Sequence, residues 1–148
     1  MKEIEASGVH IVYLTLHVGV GTFKPVVTDD ITAHEMEPEF FQVPKSTQEK
    51  IDEAHKNNWR IIAVGTTSLR ALESYAAGAK EGHTDLFIYP GYKFKLANCL
   101  LTNFHLPKTT LFMLTCAFGG EELIKRAYGE AVDKKYRFYS YGDAMLII

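Results

Sequence analysis

Residues able to do chemistry gather where apolar runs give way to polar side chains. Cys99 to Leu114 reads CLLTNFHLPKTTLFML. A run that looks like a buried strand ends in Thr102, Asn103 and His105. Leu106 and Pro107 turn the chain, and Thr109 and Thr110 open a segment with helical spacing. Ile61 to Glu73, IIAVGTTSLRALE, repeats this strand–polar–helix signal. Its Gly65, Thr66, Thr67 and Ser68 open a helix, where free backbone N–H groups and the Arg70 charge favour a carboxylate or phosphate. The same hydroxyls can serve only as helix caps, and the lysine and spacing of a P-loop are missing. Polar groups at the ends of buried strands, just before helices, are where α/β folds build active sites. Two such junctions in one chain point to a small-molecule site.

Three other stretches carry polar or aromatic groups. His17 to Thr22, HVGVGT, holds Gly19 and Gly21, which permit either close approach of backbone to a ligand or a tight turn. It is not a dinucleotide fingerprint, because the third glycine is absent and no helix follows. His34 to Glu39, HEMEPE, concentrates a histidine and three carboxylates. The HExxH pattern is absent and Pro38 breaks a helix, so a solvated acidic loop is expected and no metal site. Tyr136 to Asp143, YRFYSYGD, combines four aromatics with Arg137 and Asp143. Aromatic faces can stack on a base and Asp143 can accept a proton or orient a base edge; the alternative is aromatic packing at the core edge. Lys125, Arg126, Lys134, Lys135 and Arg137 form the notable basic cluster, read either as a solvated helix face or as an RNA contact.

The elements that must position these groups follow from periodicity. Strands are expected at His10–Leu16, Arg60–Val64, Leu86–Tyr89, Cys99–Thr102 and Ala144–Ile148, with a short extended piece at Phe23–Val27. Helices are expected at Thr47–Asn57, opened by a capping box of Ser46 and Glu49, and at Ser68–Ala77, Thr109–Phe118 and Glu121–Lys135. Asp29 to Val43 reads as irregular. This alternation predicts an α/β fold with a largely parallel sheet, whose strand ends would collect His17, Thr66 to Arg70, Asn103 and His105.

The bulk numbers agree with that class. The chain has 148 residues, 47% hydrophobic and 23% charged, which suits a single domain with a sizeable core. A net charge of -2 gives no overall attraction to nucleic acid, so an RNA contact must be local. Cys99 and Cys116 lack CxxC spacing and sit in apolar contexts, as buried free thiols of a reducing compartment do. No apolar run is long enough to span a bilayer, and MKEIEASG has no signal-peptide core. A cytoplasmic protein without a membrane partner is expected.

With these residues in place, the chain resembles the S-adenosylmethionine:tRNA ribosyltransferase-isomerase family of queuosine biosynthesis. The resemblance rests on VYLTLHVGVGTFKP from Val12, AVGTTSLRALE from Ala63, IYPGYKF from Ile88, LTNFHLPKTTLFML from Leu101 and YRFYSYGDAMLI from Tyr136. There are departures: Glu37 replaces the second histidine of the family's H-x-M-H-x-E, and Asn98 stands where an aspartate is common. Members of the family carry an additional N-terminal portion and a second, β-rich domain. The resemblance therefore implies that residues 1–148 are one α/β domain, a sheet or partial barrel flanked by helices. That domain would be the C-terminal fragment of a larger S-adenosylmethionine-binding catalytic domain, with the β-rich domain absent. Strand edges left open would favour self-association.

The resemblance also implies a reaction. The ribosyl group of S-adenosylmethionine passes, with isomerisation, to 7-aminomethyl-7-deazaguanine at the tRNA wobble position. Epoxyqueuosine forms, adenine and methionine leave, and no metal or redox cofactor takes part. Carried onto this chain, Thr15, His17, Gly19 and Gly21 would line the nucleoside pocket. Thr66, Thr67, Ser68 and Arg70 would hold an anionic group. Asn103 and His105 would act on the ribose, with His105 a proton-transfer candidate because its reference pKa is near neutral. Tyr141 would contact a base, and Asp143 would do the same or move a second proton. The competing expectations are a fragment that only binds S-adenosylmethionine and one that is inert.

Overall fold

The computed structural model describes residues 1–19, 22, 26 and 30–148. Among them, six strands form two separate three-stranded sheets. The first sheet has β1 (Thr15–Leu16), β2 (Glu39–Gln42) and β4 (Glu81–Thr84) in the order β1-β2-β4, with both pairings antiparallel. The second has β3 (Ile62–Val64), β5 (Cys99–Asn103) and β6 (Ala144–Ile147) in the order β3-β5-β6. Here β3 and β5 are parallel, and β5 and β6 are antiparallel. The helices are α1 (Lys2–Ala6), α2 (Lys45–Lys56), α3 (Thr66–Ala76), α4 (Thr110–Gly119) and α5 (Glu121–Asp133).

The α/β class stands, but the sheets are small and mixed rather than largely parallel: among the described residues one of four pairings is parallel. The connections explain this. The crossover from β3 into α3 brings the chain back to lay β5 alongside β3, as a βαβ unit does. Two helices separate β5 from β6. They are joined at Gly120, whose φ of +83 suits glycine. The second helix reverses the chain once more, so β6 arrives antiparallel.

Helix α3 sits at the centre of the fold. Leu69 to Ser74 are buried without interruption, and the helix touches strands of both sheets. A helix buried on all sides must satisfy its polar groups internally. Glu73 does so by accepting from the backbone N–H of Lys95 at 2.9 Å and of Leu96 at 3.1 Å, and from the Tyr92 hydroxyl at 3.2 Å. Around α3 the core gathers Phe41, Val43, Ile51, Ile88, Leu100, Phe104, Leu114, Ile124 and Tyr128. Cys99 and Cys116 are buried free thiols, as their apolar contexts suggested. One face of the second sheet is bare: Val64, Leu101 and Leu146, partners across its three strands, are exposed together with Ile62.

Several local expectations shift. Only Thr15 and Leu16 of the His10–Leu16 run pair as strand. The third strand of the first sheet is Glu81–Thr84, not Leu86–Tyr89, whose apolar character reflects burial of Ile88. Strand β2 lies in the stretch read as irregular, because its inward positions are Glu39 and Phe41 and a carboxylate hides the alternation. The capping box does not form. Pro44 opens α2 with no side-chain cap, and Thr47 donates its hydroxyl to Tyr13 O at 2.6 Å. The Phe23–Val27 expectation falls mostly outside the described residues.

Candidate functional site

Parallel pairing of β3 and β5 puts their C-terminal ends together. Val64 is opposite Leu101, and the Gly65 N–H donates to Leu101 O at 2.8 Å. The two strand–helix junctions therefore lie side by side, as the sequence suggested for Thr66 to Ser68, Asn103 and His105. Gly65 has φ of +90, a conformation that favours glycine, and acts as the α3 N-cap without a side-chain hydrogen bond. Thr66, Thr67 and Ser68 thus do not cap α3. Their N–H groups stand in the first turn, where a helix supplies no acceptors of its own.

At the second junction, His105 Nε2 and the Thr102 hydroxyl are 2.8 Å apart, and the His105 N–H donates to the Tyr128 hydroxyl at 2.9 Å. Burial pushes the imidazole down to about 4. The near-neutral value behind the proton-transfer expectation does not apply. At neutral pH His105 is an unprotonated ring that can exchange hydrogen bonds but carries no imidazolium proton. Asn103 spends its amide N–H₂ on the carbonyls of Asp143, at 3.2 Å, and Gly142, at 3.4 Å. It thereby ties β5 to the turn before β6.

The turn from Tyr136 to Asp143 separates into two parts. Tyr136 and Phe138 pack on Phe104, with ring centroids at 5.7 Å and 5.5 Å, so these two are core-edge aromatics. Tyr141 is 98% exposed. Asp143 accepts from the Arg137 backbone N–H at 2.8 Å and from its Nη2 at 2.9 Å. Those bonds hold its carboxyl below the usual range, so Asp143 is a carboxylate already engaged by Arg137. The basic cluster is largely paired as well, Lys125 with Glu121 and Lys134 with Glu130, on exposed helix faces.

The glycine-containing loop reaches the junctions through β2. The His17 N–H donates to Phe40 O at 2.8 Å. Glu39 Oε1 accepts from the Gly19 N–H at 2.7 Å and from the Thr22 hydroxyl at 2.6 Å, while its Oε2 pairs with Arg70 Nη1. Arg70 Nε donates to Leu86 O at 3.2 Å, and its Nη2 is buried without an acceptor among the described residues. Arg70 therefore faces an internal carboxylate, because burial inside α3 demands a counter-charge. Thr22 O accepts from the Thr110 hydroxyl at 3.1 Å, and the Val26 N–H donates to Lys108 O at 2.9 Å. Loop, α3 and the segment after His105 thus meet at Thr22.

Thr15 lies in the β1 ladder opposite Gln42, and Gly21 lies outside the described residues. Glu39 was missed. Grouped with a solvated acidic loop, it is in fact fully buried, and its signal was the alternation with Phe41. No group of three metal-ligating side chains occurs among the described residues. Two surface grooves, beside Tyr13 and Lys50 and beside Trp59 and Phe94, contain none of these residues.

A pair of strand-end junctions bridged by a glycine-containing loop defines an α/β protein built around polar groups at one end of a parallel strand pair. Residues 1–147 match the family described as queuosine biosynthesis protein, and the chain belongs to that family. Among its relatives, the S-adenosylmethionine:tRNA ribosyltransferase-isomerase of Sulfurihydrogenibium is 56% identical over all of this chain and 44% of its own length. The Aquifex aeolicus protein of the same name is 49% identical, again over all of this chain and 44% of its own length. A crystal structure of the S-adenosylmethionine tRNA ribosyltransferase of Thermotoga maritima superposes with a TM-score of 0.70 at 52% identity. It covers 74% of this chain and 41% of the other. The chain spans under half the length of these relatives.

Proposed function

We propose that this chain contributes to the transfer and isomerisation of the ribosyl group of S-adenosylmethionine onto 7-aminomethyl-7-deazaguanine in tRNA. The products are epoxyqueuosine, adenine and methionine. The observation that carries this reading is the meeting of three motifs, the 17–22 loop, the Gly65–Arg70 junction and the Thr102–Thr110 junction, at Thr22 and the ends of β3 and β5.

In this reading Thr15, His17, Gly19 and Gly21 line the nucleoside pocket. The first-turn N–H groups of Thr66, Thr67 and Ser68 receive the methionine carboxylate, favoured by the helix dipole. Neutral His105, oriented by Thr102, hydrogen-bonds a ribose hydroxyl or the leaving adenine, and the side-chain carbonyl oxygen of Asn103 serves the ribose. Tyr141, exposed on a turn fixed by Asp143, stacks on a base of the tRNA. The sulfonium acidifies the C5′ hydrogens so that a base can take one. The bond from ribose to adenine breaks and adenine leaves with a proton. The RNA-borne amine bonds to a ribosyl carbon and gives up a proton. The carbon–sulfur bond breaks as the epoxide closes, releasing methionine. The protein supplies positioning and hydrogen bonds throughout.

A second reading is favoured by one observation, the bare apolar face of the β3-β5-β6 sheet. It holds that the chain binds S-adenosylmethionine and turns it over only when the rest of the family's architecture covers that face. Calorimetry with S-adenosylmethionine, followed by adenine release in the presence of modified tRNA, separates the two. Binding with turnover supports the first and binding alone the second. No binding by a folded sample sinks both.

A further inference from the structure

We propose that Glu39 is a positioning residue for Gly19 and Thr22, holding these two where they receive the nucleoside. The inference rests on the reading above that this loop lines the nucleoside pocket.

The two oxygens of Glu39 do different work. Oε2 answers the Arg70 guanidinium, which is all that a counter-ion must do. Oε1 takes two donors from the loop, the Gly19 N–H at 2.7 Å and the Thr22 hydroxyl at 2.6 Å. A carboxylate is acceptor-only, and bonds to it are about twice as strong as those between neutral groups. The loop lies directly against it: a Cβ added at Gly19 would sit 3.5 Å from Oε1. Among the described residues the motif is also held by the His17 N–H on Phe40 O, by Thr22 O under the Thr110 hydroxyl, and by Arg70 Nη1, which donates to the Thr22 hydroxyl at 3.3 Å. Thr22 thus joins Glu39 on one side to the start of α4 on the other. The carboxylate therefore sets how Gly19 and Thr22 sit relative to the junction carrying His105.

A lone change at Glu39 leaves a buried guanidinium unpaired and threatens the fold. The test uses the double variant Glu39→Met/Arg70→Met, which removes both charges at similar volume, and Thr22→Val, which removes the hydroxyl's bond to Glu39 Oε1 and the one it accepts from Arg70 Nη1 at 3.3 Å, but no charge. Two quantities are read on each: hydrogen exchange of the Gly19 amide against the core amide of Leu100, and S-adenosylmethionine affinity by calorimetry. The expected result for the double variant is Gly19 exchange faster by about tenfold or more with affinity weaker by a similar factor. Thr22→Val moves both in the same direction by less. It carries the test alone should the double variant fail to fold.

Gly19 exchange at the wild-type rate would overturn the inference and leave Glu39 a counter-ion. Faster exchange with unchanged affinity would overturn it too, because the loop's shape would then not matter to the ligand. A wild-type chain that does not bind S-adenosylmethionine overturns the nucleoside-pocket reading and this inference with it. The exchange data, taken without ligand, tell that failure from failure of the Glu39 contact.

Discussion

Two arginine–carboxylate pairs stand in and beside the candidate site, and their surroundings are opposite. The side chains of Arg70 and Glu39 are 3% and 2% exposed, and those of Arg137 and Asp143 are 74% and 35% exposed. The inner pair joins α3 to β2 and the 17–22 loop, so losing either partner strands a charge away from water. The outer pair decorates a turn that the backbone already makes. There the Asp143 N–H reaches Arg137 O at 2.8 Å, and Asn103 clasps the Gly142 and Asp143 carbonyls. Water and salt screen the outer charges. Identical chemistry thus acts as a structural joint in one place and as trim in the other, and burial decides which.

The largest test of that contrast is Glu39→Ala. It should cost about 3–5 kcal/mol in urea unfolding, and a loss below about 1 kcal/mol would place the inner pair in the outer class.

His105 supplies a second test, because it is partly buried and uncharged. Its folded value of about 4 lies below the ordinary 6.5. As pH falls from 6.5 toward 4, the unfolded chain therefore takes up a proton that the folded chain refuses. Stability, full above pH 6.5, should fall through that window by up to about 3 kcal/mol. His105→Gln removes this component, and an unchanged pH slope in that variant would refute the assignment.

Gly142→Ala asks whether backbone or ion pair shapes the outer turn. An added Cβ would meet Arg137 O at 2.2 Å, so the turn must open, at about 1–3 kcal/mol. A melting temperature equal to wild type would mean that the close approach is absent.

Asp143→Asn is the smallest change. The Arg137 hydrogen bonds lower its carboxyl value, but both side chains are open to water, and screening leaves the pair a contribution at pH 7 too small to move the melting temperature. At pH 7 the variant should melt with the wild type in both low and high salt. A clear drop confined to low salt would show the outer pair contributing after all.

The sequence made the two junctions readable because each is local. An apolar run, a polar cluster and a helix start follow one another within a few residues, and their meeting needs only that β3 and β5 run parallel. Glu39 was unreadable for the opposite reason. Its meaning lies in Gly19, Thr22 and Arg70, all far along the chain, and its carboxylate disguises the inward face of β2. Asp143 and Arg137 are only six residues apart in one motif, but nothing in that spacing says that the turn closes one onto the other. The capping box failed because α2 opens at Pro44, which puts Ser46 inside the first turn and sets Glu49 4.0 Å from the Lys45 ammonium. Strand β4 escaped notice because EGHT pairs through its backbone and offers no apolar alternation.

The position of β5 between β3 and β6 has a consequence for how the protein is made. On the ribosome β3 emerges before β5, so one side of β5 has its partner at once. The residues of β6 follow some forty positions later, roughly 2 to 9 s at ~5–20 residues per second. For that interval the backbone of Leu100 to Asn103 has an unpaired edge on the nascent chain. An open edge can template a strand that meets it, so the delay before Ala144 appears leaves β5 open to mispairing on that side.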